Sequence, residues 1–367
     1  MKKIVFFVIL VVVFSANTTK IDLEKSTTFF VGTYTNGESK GIYQYEIDKN
    51  GFLKNNGLKA ILENPSFLAK TIDGRTLLAV NEVAENDTGF VTSFAIENDT
   101  LIFKSQSKSG GAHPCFVSVN DKNQVIVANY SGGNIGFLQL NSNGELSKLL
   151  DVQQHFGKGI APRQEAPHAH STWFHPANKE IISVDLGTNQ LWFSSIDERS
   201  EKFVFSVQKT LQMEKAAGPR HLVFHPNKKW IYVLNELNNT IVLVQKMPSL
   251  YKVISTVSIL PKDYTTYTTG ADIHVSSDGK FLYASNRGHN SIAVFKIDSL
   301  EGNLELVGFE SVKGENPRNF SLTPDNKFLV VANQDSNNIV SFRRDLKIGK
   351  LTFVSEIKAP NPVCLLF

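Results

Sequence analysis

Short apolar runs separated by turn residues recur along most of the chain. In one copy, Asn64-Pro65-Ser66-Phe67-Leu68 begins an apolar strand, Asp73-Gly74 forms a turn, and a second apolar strand ends at Asn81-Glu82. Apolar segments of this length between Gly, Pro, Asn and Asp are typical of β-strands. The pattern therefore predicts an all-β chain built from repeated antiparallel strand pairs.

The unit occurs seven times, and the last copy supplies only a first strand. The later copies start at His113-Pro114, Pro167-His168, Gly218-Pro219, Ala271-Asp272, Asn316-Pro317 and Asn361-Pro362. Pro65 and Pro362 are 297 residues apart over six intervals, or about 50 residues per unit. A third strand follows each pair. Units of this length with three or four strands indicate the blades of a β-propeller.

The two ends of the chain complete the incomplete seventh copy. The strands near the start, Phe29–Tyr34, Gly41–Tyr45 and Gly51–Leu53, belong to no other unit. Joining them to the C-terminal strand closes the ring and removes an exposed sheet edge. We therefore predict a single seven-bladed propeller domain over residues 20–367. Two β-sandwiches are the alternative architecture. The sequence has no WD signature and no repeated Gly-Gly pair, so it supports neither a WD40 nor a kelch propeller.

Residues 1–19 have the pattern of a secretory signal peptide. Lys2-Lys3 precede the apolar run Ile4–Phe14, and the small residues Ser15-Ala16 follow it. Eleven apolar residues are too few to cross a bilayer comfortably. We expect export to the periplasm or the cell exterior, with no stable membrane insertion after cleavage. An uncleaved anchor is the alternative.

Charge and cysteine content narrow the function classes. The chain has 38 Lys+Arg and 35 Asp+Glu, and no block of like charge, so we predict no nucleic-acid partner. The two cysteines, Cys115 and Cys364, cannot staple a chain of this length. We expect both to be buried free thiols. The oligomeric state stays open.

Propeller geometry predicts where polar residues converge. In antiparallel pairs, the start of the first strand and the end of the second lie on the same face. The first-strand starts carry His113, His168, His170, Arg220, His221, Asp272, His274, Arg318 and Asn319. The second-strand ends carry Glu82, Tyr130, Asp185, Asn235, Glu236, Asn286, Arg287 and Asn333. One channel mouth is therefore predicted to hold a polar pocket suited to a small anionic molecule.

Several of these residues also have a structural interpretation. An Asn after a strand often bonds the backbone. A metal site at His168 and His170 would need Glu236, Asp185 or His221 as further ligands. Hydrogen bonding or base chemistry is the favoured interpretation, so we predict no metal and no organic cofactor. Arg220, Glu236 and Arg287 are the strongest functional candidates, because charged residues are rare at channel positions.

Six segments in order resemble the seven-bladed propeller lactonase family, which includes bacterial 6-phosphogluconolactonase of the propeller type and the fungal carboxymuconate lactonizing enzyme. The segments are Gly32–Thr35, Pro167–Ser171, Gly218–His221, Asn235–Leu237, Ser285–Gly288 and Asn316–Phe320. By motif, the family's active-site His, two Arg and Glu fall on His170, Arg220, Arg287 and Glu236. The resemblance covers almost the whole chain after residue 27. The weaker candidates, which we expect to bind the substrate, are His168, His221, Arg318 and Asn333.

The resemblance implies a carboxylic ester hydrolase that opens a sugar lactone, foremost 6-phospho-D-glucono-1,5-lactone. Glu236, alone or with His170, would then activate water, and the arginines would hold the anion. Alternatives are an unphosphorylated sugar lactone, a muconate-type cycloisomerase, and a non-catalytic propeller that binds a sugar or a protein. A calcium-dependent six-bladed gluconolactonase is disfavoured by the seven repeats. The family resemblance implies a cytoplasmic location, in contrast to the predicted signal peptide.

Overall fold

The structure is a computed structural model that describes residues 26–248 and 250–367. Its elements are 28 β-strands and one 3₁₀ turn, Pro162–Gln164. The signal peptide predicted at residues 1–19 lies outside the described residues. Within the described ranges, no helix has the length and apolar character that a membrane crossing requires.

The strands follow one another along the chain with few long connections. Their bounds are β1 Thr27–Thr33, β2 Gly41–Ile47, β3 Leu53–Ile61, β4 Leu68–Lys70, β5 Thr76–Glu85, β6 Thr88–Glu97, β7 Thr100–Lys108, β8 Pro114–Val119, β9 Gln124–Asn129, β10 Asn134–Gln139, β11 Asp151–Gln154, β12 Ala169–Phe174, β13 Glu180–Asp185, β14 Gln190–Asp197, β15 Lys202–Gln212, β16 Pro219–Phe224, β17 Trp230–Asn235, β18 Thr240–Lys246, β19 Tyr251–Ser258, β20 Thr269–Val275, β21 Phe281–Arg287, β22 Ser291–Ile297, β23 Leu304–Ser311, β24 Pro317–Leu322, β25 Phe328–Asn333, β26 Asn338–Arg344, β27 Leu351–Lys358 and β28 Pro362–Leu366.

Seven antiparallel four-stranded sheets confirm the predicted propeller. Six sheets use consecutive strands, from β4–β7 through β24–β27. The seventh has the order β28-β1-β2-β3, with Val31 opposite Leu365, so both ends of the chain share one blade as predicted. The innermost strands β4, β8, β12, β16, β20, β24 and β28 contact one another in succession and line the channel.

The hydrophobic core is divided among the spaces between neighbouring blades. The described residues form seven buried clusters, and each joins two adjacent sheets. The cluster between the shared blade and the β4–β7 blade packs Phe30 and Cys364 against Leu77 and Phe94. Since each blade covers its apolar face only against its neighbours, closure of the ring is required for stability. Cys115 and Cys364 are buried free thiols, as predicted.

A β-bulge interrupts the start of the innermost strand in several blades. In β12, Ala169 pairs with Asp185 and Ser171 pairs with Val184, so His170 is the extra residue. The same irregularity leaves Cys115, Arg220 and Arg318 as the extra residues of β8, β16 and β24. A bulge redirects the extra side chain and is common beside functional sites. In this fold the bulges carry a His and two Arg at the channel mouth.

Candidate active site

Glu236 lies at the centre of a buried cluster of arginines. It follows β17, and its side chain is only 2% exposed. One carboxylate oxygen, Oε2, lies 3.0 Å from Nε of Arg220 and 3.1 Å from Nη2 of Arg287. The other oxygen, Oε1, accepts a hydrogen bond of 2.5 Å from Nη1 of Arg163. We call these four residues the Glu236 cluster.

The backbone of β20 holds two of these arginines in place, Arg220 from the preceding blade and Arg287 from the same blade. Nη1 of Arg220 donates to the carbonyl of Ala271, and Nη2 of Arg287 donates to the carbonyl of Gly270 at 3.0 Å. Both carbonyls belong to β20. The two guanidinium groups are therefore fixed by regular secondary structure before any ligand arrives, which is the preorganisation that a charged transition state requires.

Three polar atoms of the cluster have no hydrogen-bond partner among the described residues. These atoms are Oε2 of Glu236, Nε of Arg220 and Nε of Arg287. The ionic contacts to Oε2 are short, but they lack hydrogen-bond alignment. Oε2 of Glu236 and Nε of Arg220 still contact each other at 3.0 Å, whereas Nε of Arg287 is a buried donor that can bind water or a ligand.

The cluster is fully ionised at neutral pH. Burial raises the pKa of Glu236, but the guanidinium groups of Arg287, Arg220 and Arg163 together lower it to about 2. Burial, Arg287 and Arg318 lower the pKa of Arg220 to about 10, which keeps it protonated at pH 7. The positive charges outnumber the carboxylate, so the cluster favours an anionic ligand.

His170 lies beside the cluster as a neutral imidazole. Its Nδ1 is 3.8 Å from Sγ of Cys115, whose thiol donates to the His170 carbonyl at 3.3 Å. Burial and the charge of Arg220 hold the pKa of His170 well below its usual 6.5. A neutral imidazole can accept a proton, so His170 is a second candidate base.

His221 supports Arg220 from the interior of the channel. Its Nδ1 lies 2.8 Å from Oδ1 of Asp272. Because a carboxylate oxygen only accepts, Nδ1 of His221 carries a proton and donates it to this hydrogen bond. The opposite nitrogen, Nε2, faces Nη1 of Arg220 at 3.4 Å. Asp272 also binds Nε2 of His274 at 3.0 Å and Nδ2 of Asn319 at 2.5 Å. The structure thus places Asp272 as an anchor for several rim residues.

Arg318 reaches the same channel mouth from another blade. Its Nη2 donates to the hydroxyl of Tyr34 at 2.7 Å, and Tyr34 donates to Oε2 of Glu82 at 2.9 Å. With Arg220 and His221 it lines a cavity of only about 10 Å³. This volume is too small for a sugar, so a ligand must bind on the solvent side of this cavity.

Two of the predicted binding residues make their hydrogen bonds to partners other than Glu236. Asn333 donates from Nδ2 to the carbonyl of Val312 at 3.0 Å, within its own blade. The ring of His168 stacks on Tyr130 and lies 3.1 Å from Oε1 of Glu165. Asn333 thus shows the backbone bonding that the structural interpretation describes. Across residues 26–248 and 250–367, no three His, Cys, Asp or Glu side chains are arranged to hold a metal ion.

Arg163 is the member of the cluster that sequence reasoning missed. It lies in the 3₁₀ turn between β11 and β12, outside the repeated strand pair. A signal was nevertheless present, because the chain contains three Pro-Arg steps, at 162–163, 219–220 and 317–318. All three arginines lie at the channel mouth.

Comparison with known proteins agrees with the seven-bladed repeat. A 6-phosphogluconolactonase of Bacillus subtilis is 37% identical over 345 residues, covering 92% of this chain and 97% of that protein. A 6-phosphogluconolactonase of Formosa agariphila is 33% identical over 304 residues, covering 80% of this chain and 86% of that protein. The structure of a periplasmic gluconolactonase from Pseudomonas aeruginosa superposes with a TM-score of 0.88 at 29% identity, covering 92% and 98% of the two chains.

The family profile described as "Lactonase, 7-bladed beta-propeller" matches residues 28–367, which is nearly all of the described chain. The matched region contains every strand from β2 to β28 and all four residues of the Glu236 cluster. The chain therefore belongs to the seven-bladed β-propeller lactonase family.

Proposed function

We propose that the protein hydrolyses 6-phospho-D-glucono-1,5-lactone to 6-phosphogluconate at the Glu236 cluster. The observation that carries this proposal is a buried carboxylate enclosed by three arginines at the channel mouth. The names of the relatives in Bacillus subtilis and Formosa agariphila support the substrate. The excess of positive charge at the mouth suits an anionic lactone.

In the proposed reaction, Arg220 and Arg287 donate hydrogen bonds to the carbonyl oxygen at C1 of the lactone. Glu236 removes a proton from water as the water oxygen attacks C1, and the arginines stabilise the resulting oxyanion. When the bond between C1 and the ring oxygen breaks, the proton passes from Glu236 to that oxygen. The product is an open hydroxy acid, which ionises to a carboxylate, and the enzyme returns to its starting state.

The position of Arg163 limits the basicity of Glu236 in this structure. A carboxylate with a pKa of about 2 is a weak base at neutral pH. Arg163 is one of three cations that lower this pKa, and it is the most exposed of them, at 44% against 3% and 14%. Displacement of Arg163 would raise the pKa of Glu236 towards the range in which it removes a proton from water effectively.

An unphosphorylated sugar lactone is the second candidate substrate. Two observations favour it: the signal-like pattern at residues 1–19 and the similarity to a periplasmic gluconolactonase. We propose export with cleavage of that segment. N-terminal sequencing of the protein from exported and cytoplasmic fractions tests this. Protein found only in the cytoplasmic fraction, with Met1 intact, would contradict export.

We expect kcat/KM for glucono-1,5-lactone to be nearly constant between pH 5 and 7. This substrate has no titrating group, and its kcat/KM reports the free enzyme. Glu236, facing Arg163, Arg220 and Arg287, has a lowered pKa and is ionised throughout this range. Burial, Arg220, His221 and Arg318 hold the pKa of His170 well below its usual value, so His170 adds no titration step near 6.5.

The measurement is lactone opening at several pH values, corrected for spontaneous hydrolysis and with the acid product identified. Loss of activity on acidification with an apparent pKa between 6 and 7 would contradict the assigned protonation states. Formation of an unsaturated acid from a muconolactone, with no opening of sugar lactones, would instead favour the cycloisomerase.

A further inference from the structure

Residues 155–168, which we call the mouth loop, connect β11 to β12, and Arg163 of this loop contacts Glu236. Arg220 and Arg287 come from strands, whereas Arg163 comes from the 3₁₀ turn of this loop. The side chain of Arg163 is 44% exposed and contacts a carboxylate that is 2% exposed. Arg163 is thus the solvent-facing member of the cluster, and it covers Glu236.

The backbone of the mouth loop is anchored on both sides of Arg163. At one end, Nδ1 of His155 lies 2.7 Å from Oδ2 of Asp185, and the ring stacks on Trp192. Next to Arg163, the fully buried Gln164 donates from Nε2 to the carbonyl of Leu186 at 2.8 Å. A ligand that enters the site is therefore expected to move the Arg163 side chain and leave the loop in place.

The contacts that hold Arg163 over Glu236 are few and replaceable. Its guanidinium donates to Oε1 of Glu236 and, from Nη2, to the hydroxyl of Tyr130 at 3.0 Å. A phosphate group offers three oxygens in a geometry that matches the guanidinium fork. It is also a stronger acceptor than the hydroxyl of Tyr130. Exchange of these partners for a phosphate needs only rotation of one long side chain.

We propose that Arg163 leaves Glu236 to bind the phosphate of the substrate, so that recognition of the phosphate uncovers the catalytic carboxylate. This inference rests on the proposed function, and it names the residue that selects the phosphorylated lactone. An unphosphorylated lactone must displace Arg163 from Glu236 and offers no equivalent partner in return. The enzyme then prefers the phosphorylated substrate because only that substrate opens the site.

The test uses Arg163→Gln and Arg163→Lys with both lactones. We expect Arg163→Gln to lower kcat/KM for the phosphorylated lactone about tenfold or more, since a charge-assisted pair is lost. Activity on glucono-1,5-lactone should rise, because that substrate no longer has to displace Arg163 from Glu236. Arg163→Lys should recover part of the preference for the phosphorylated lactone, because lysine keeps the positive charge but lacks the planar guanidinium fork.

The matched control is Arg199→Gln, an exposed arginine in the turn between β14 and β15, which should leave both rates unchanged. Thermal unfolding of each variant shows whether the fold is retained. An equal loss for the two lactones, or no loss for either, would overturn the assignment of the phosphate to Arg163.

Calorimetry with the product acids separates this inference from the proposed function. Wild type should bind 6-phosphogluconate more tightly than gluconate, and Arg163→Gln should remove most of that difference. If wild type opens neither lactone but shows this Arg163-dependent binding, the proposed function fails while the anion site stands. Equal affinity of wild type for the two acids would overturn the inference even if the lactone is hydrolysed.

Discussion

The variant Glu236→Gln is expected to lower kcat for lactone opening by about 10²–10⁴-fold, the usual contribution of a general base. Glutamine keeps the shape of the side chain but cannot take a proton from water. It also removes the negative charge that fixes the guanidinium groups of Arg220 and Arg287, at 3.0 and 3.1 Å. Loss of kcat with little change in KM would be the signature of this role.

The same variant should also be less stable, because buried arginines lose their counter-charge. Removing one partner of a buried ion pair costs about 3–5 kcal/mol. The pKa of Glu236 is lowered in the folded state, so its stabilising effect is present above the unfolded pKa and is lost as the pH falls towards 2. The difference in unfolding free energy between wild type and Glu236→Gln should therefore shrink from pH 7 to pH 3.

The matched control is Glu97→Gln, which changes an exposed glutamate at the end of β6. It should leave both kcat and the unfolding free energy unchanged. If Glu236→Gln retains full turnover, Glu236 is not the base, and His170 takes that place. Replacement of His170 by Gln would then be the decisive variant.

The second large effect is expected for Arg287→Ala, with a loss of about 10²–10³ in kcat, as for a single oxyanion donor. Arg287 ends β21, is 14% exposed, and has an Nε with no hydrogen-bond partner among the described residues. This Nε is available to a developing oxyanion. Glu236 keeps Arg220 and Arg163 in the variant, so the fold should be retained.

Two further variants make this prediction specific. Arg287→Lys should recover only part of the lost rate, since an ammonium group lacks the planar fork. Arg75→Ala removes an arginine of 86% exposure beside the Asp73-Gly74 turn and should have no effect. A rise in KM at constant kcat for Arg287→Ala would contradict a role in the transition state and indicate ground-state binding.

The architecture was predictable because most blades repeat the same local signals. Proline before the first strand, a turn such as Asp278-Gly279 and an Asn after the second strand recur about every 50 residues. In the structure, Oδ1 of Asp73, Asp278 and Asp325 each accepts a hydrogen bond from the hydroxyl two residues earlier. The number of blades follows from the number of repeated turns. The shared blade follows because the C-terminal strand would otherwise leave an exposed sheet edge.

The site was predictable only as far as strand ends determine it. His170, Arg220, Glu236 and Arg287 lie on inner-strand starts or second-strand ends, and the structure brings all four together at one mouth. The bulges that redirect His170 and Arg220 are not visible in an alternating pattern, because they add one unpaired residue. Strand position alone also did not distinguish Asn333, which bonds the backbone of its own blade.

Contacts made by loops were beyond the reach of the repeat pattern. Arg163 contacts Glu236 from a segment that has no counterpart in the other blades. Asp272 forms hydrogen bonds that join side chains from three blades, and the sequence pattern does not indicate which side chains these are. Such contacts depend on how the blades sit around the ring, which local propensity does not specify.

The most direct test is the rate at which purified protein opens 6-phospho-D-glucono-1,5-lactone, compared with glucono-1,5-lactone, with and without a chelator. The account predicts kcat/KM of at least about 10⁴ M⁻¹s⁻¹ for the phosphorylated lactone, a lower value for the other, and 6-phosphogluconate as the product. A rate indistinguishable from spontaneous opening for both lactones would contradict the assignment of the Glu236 cluster as a sugar lactonase site.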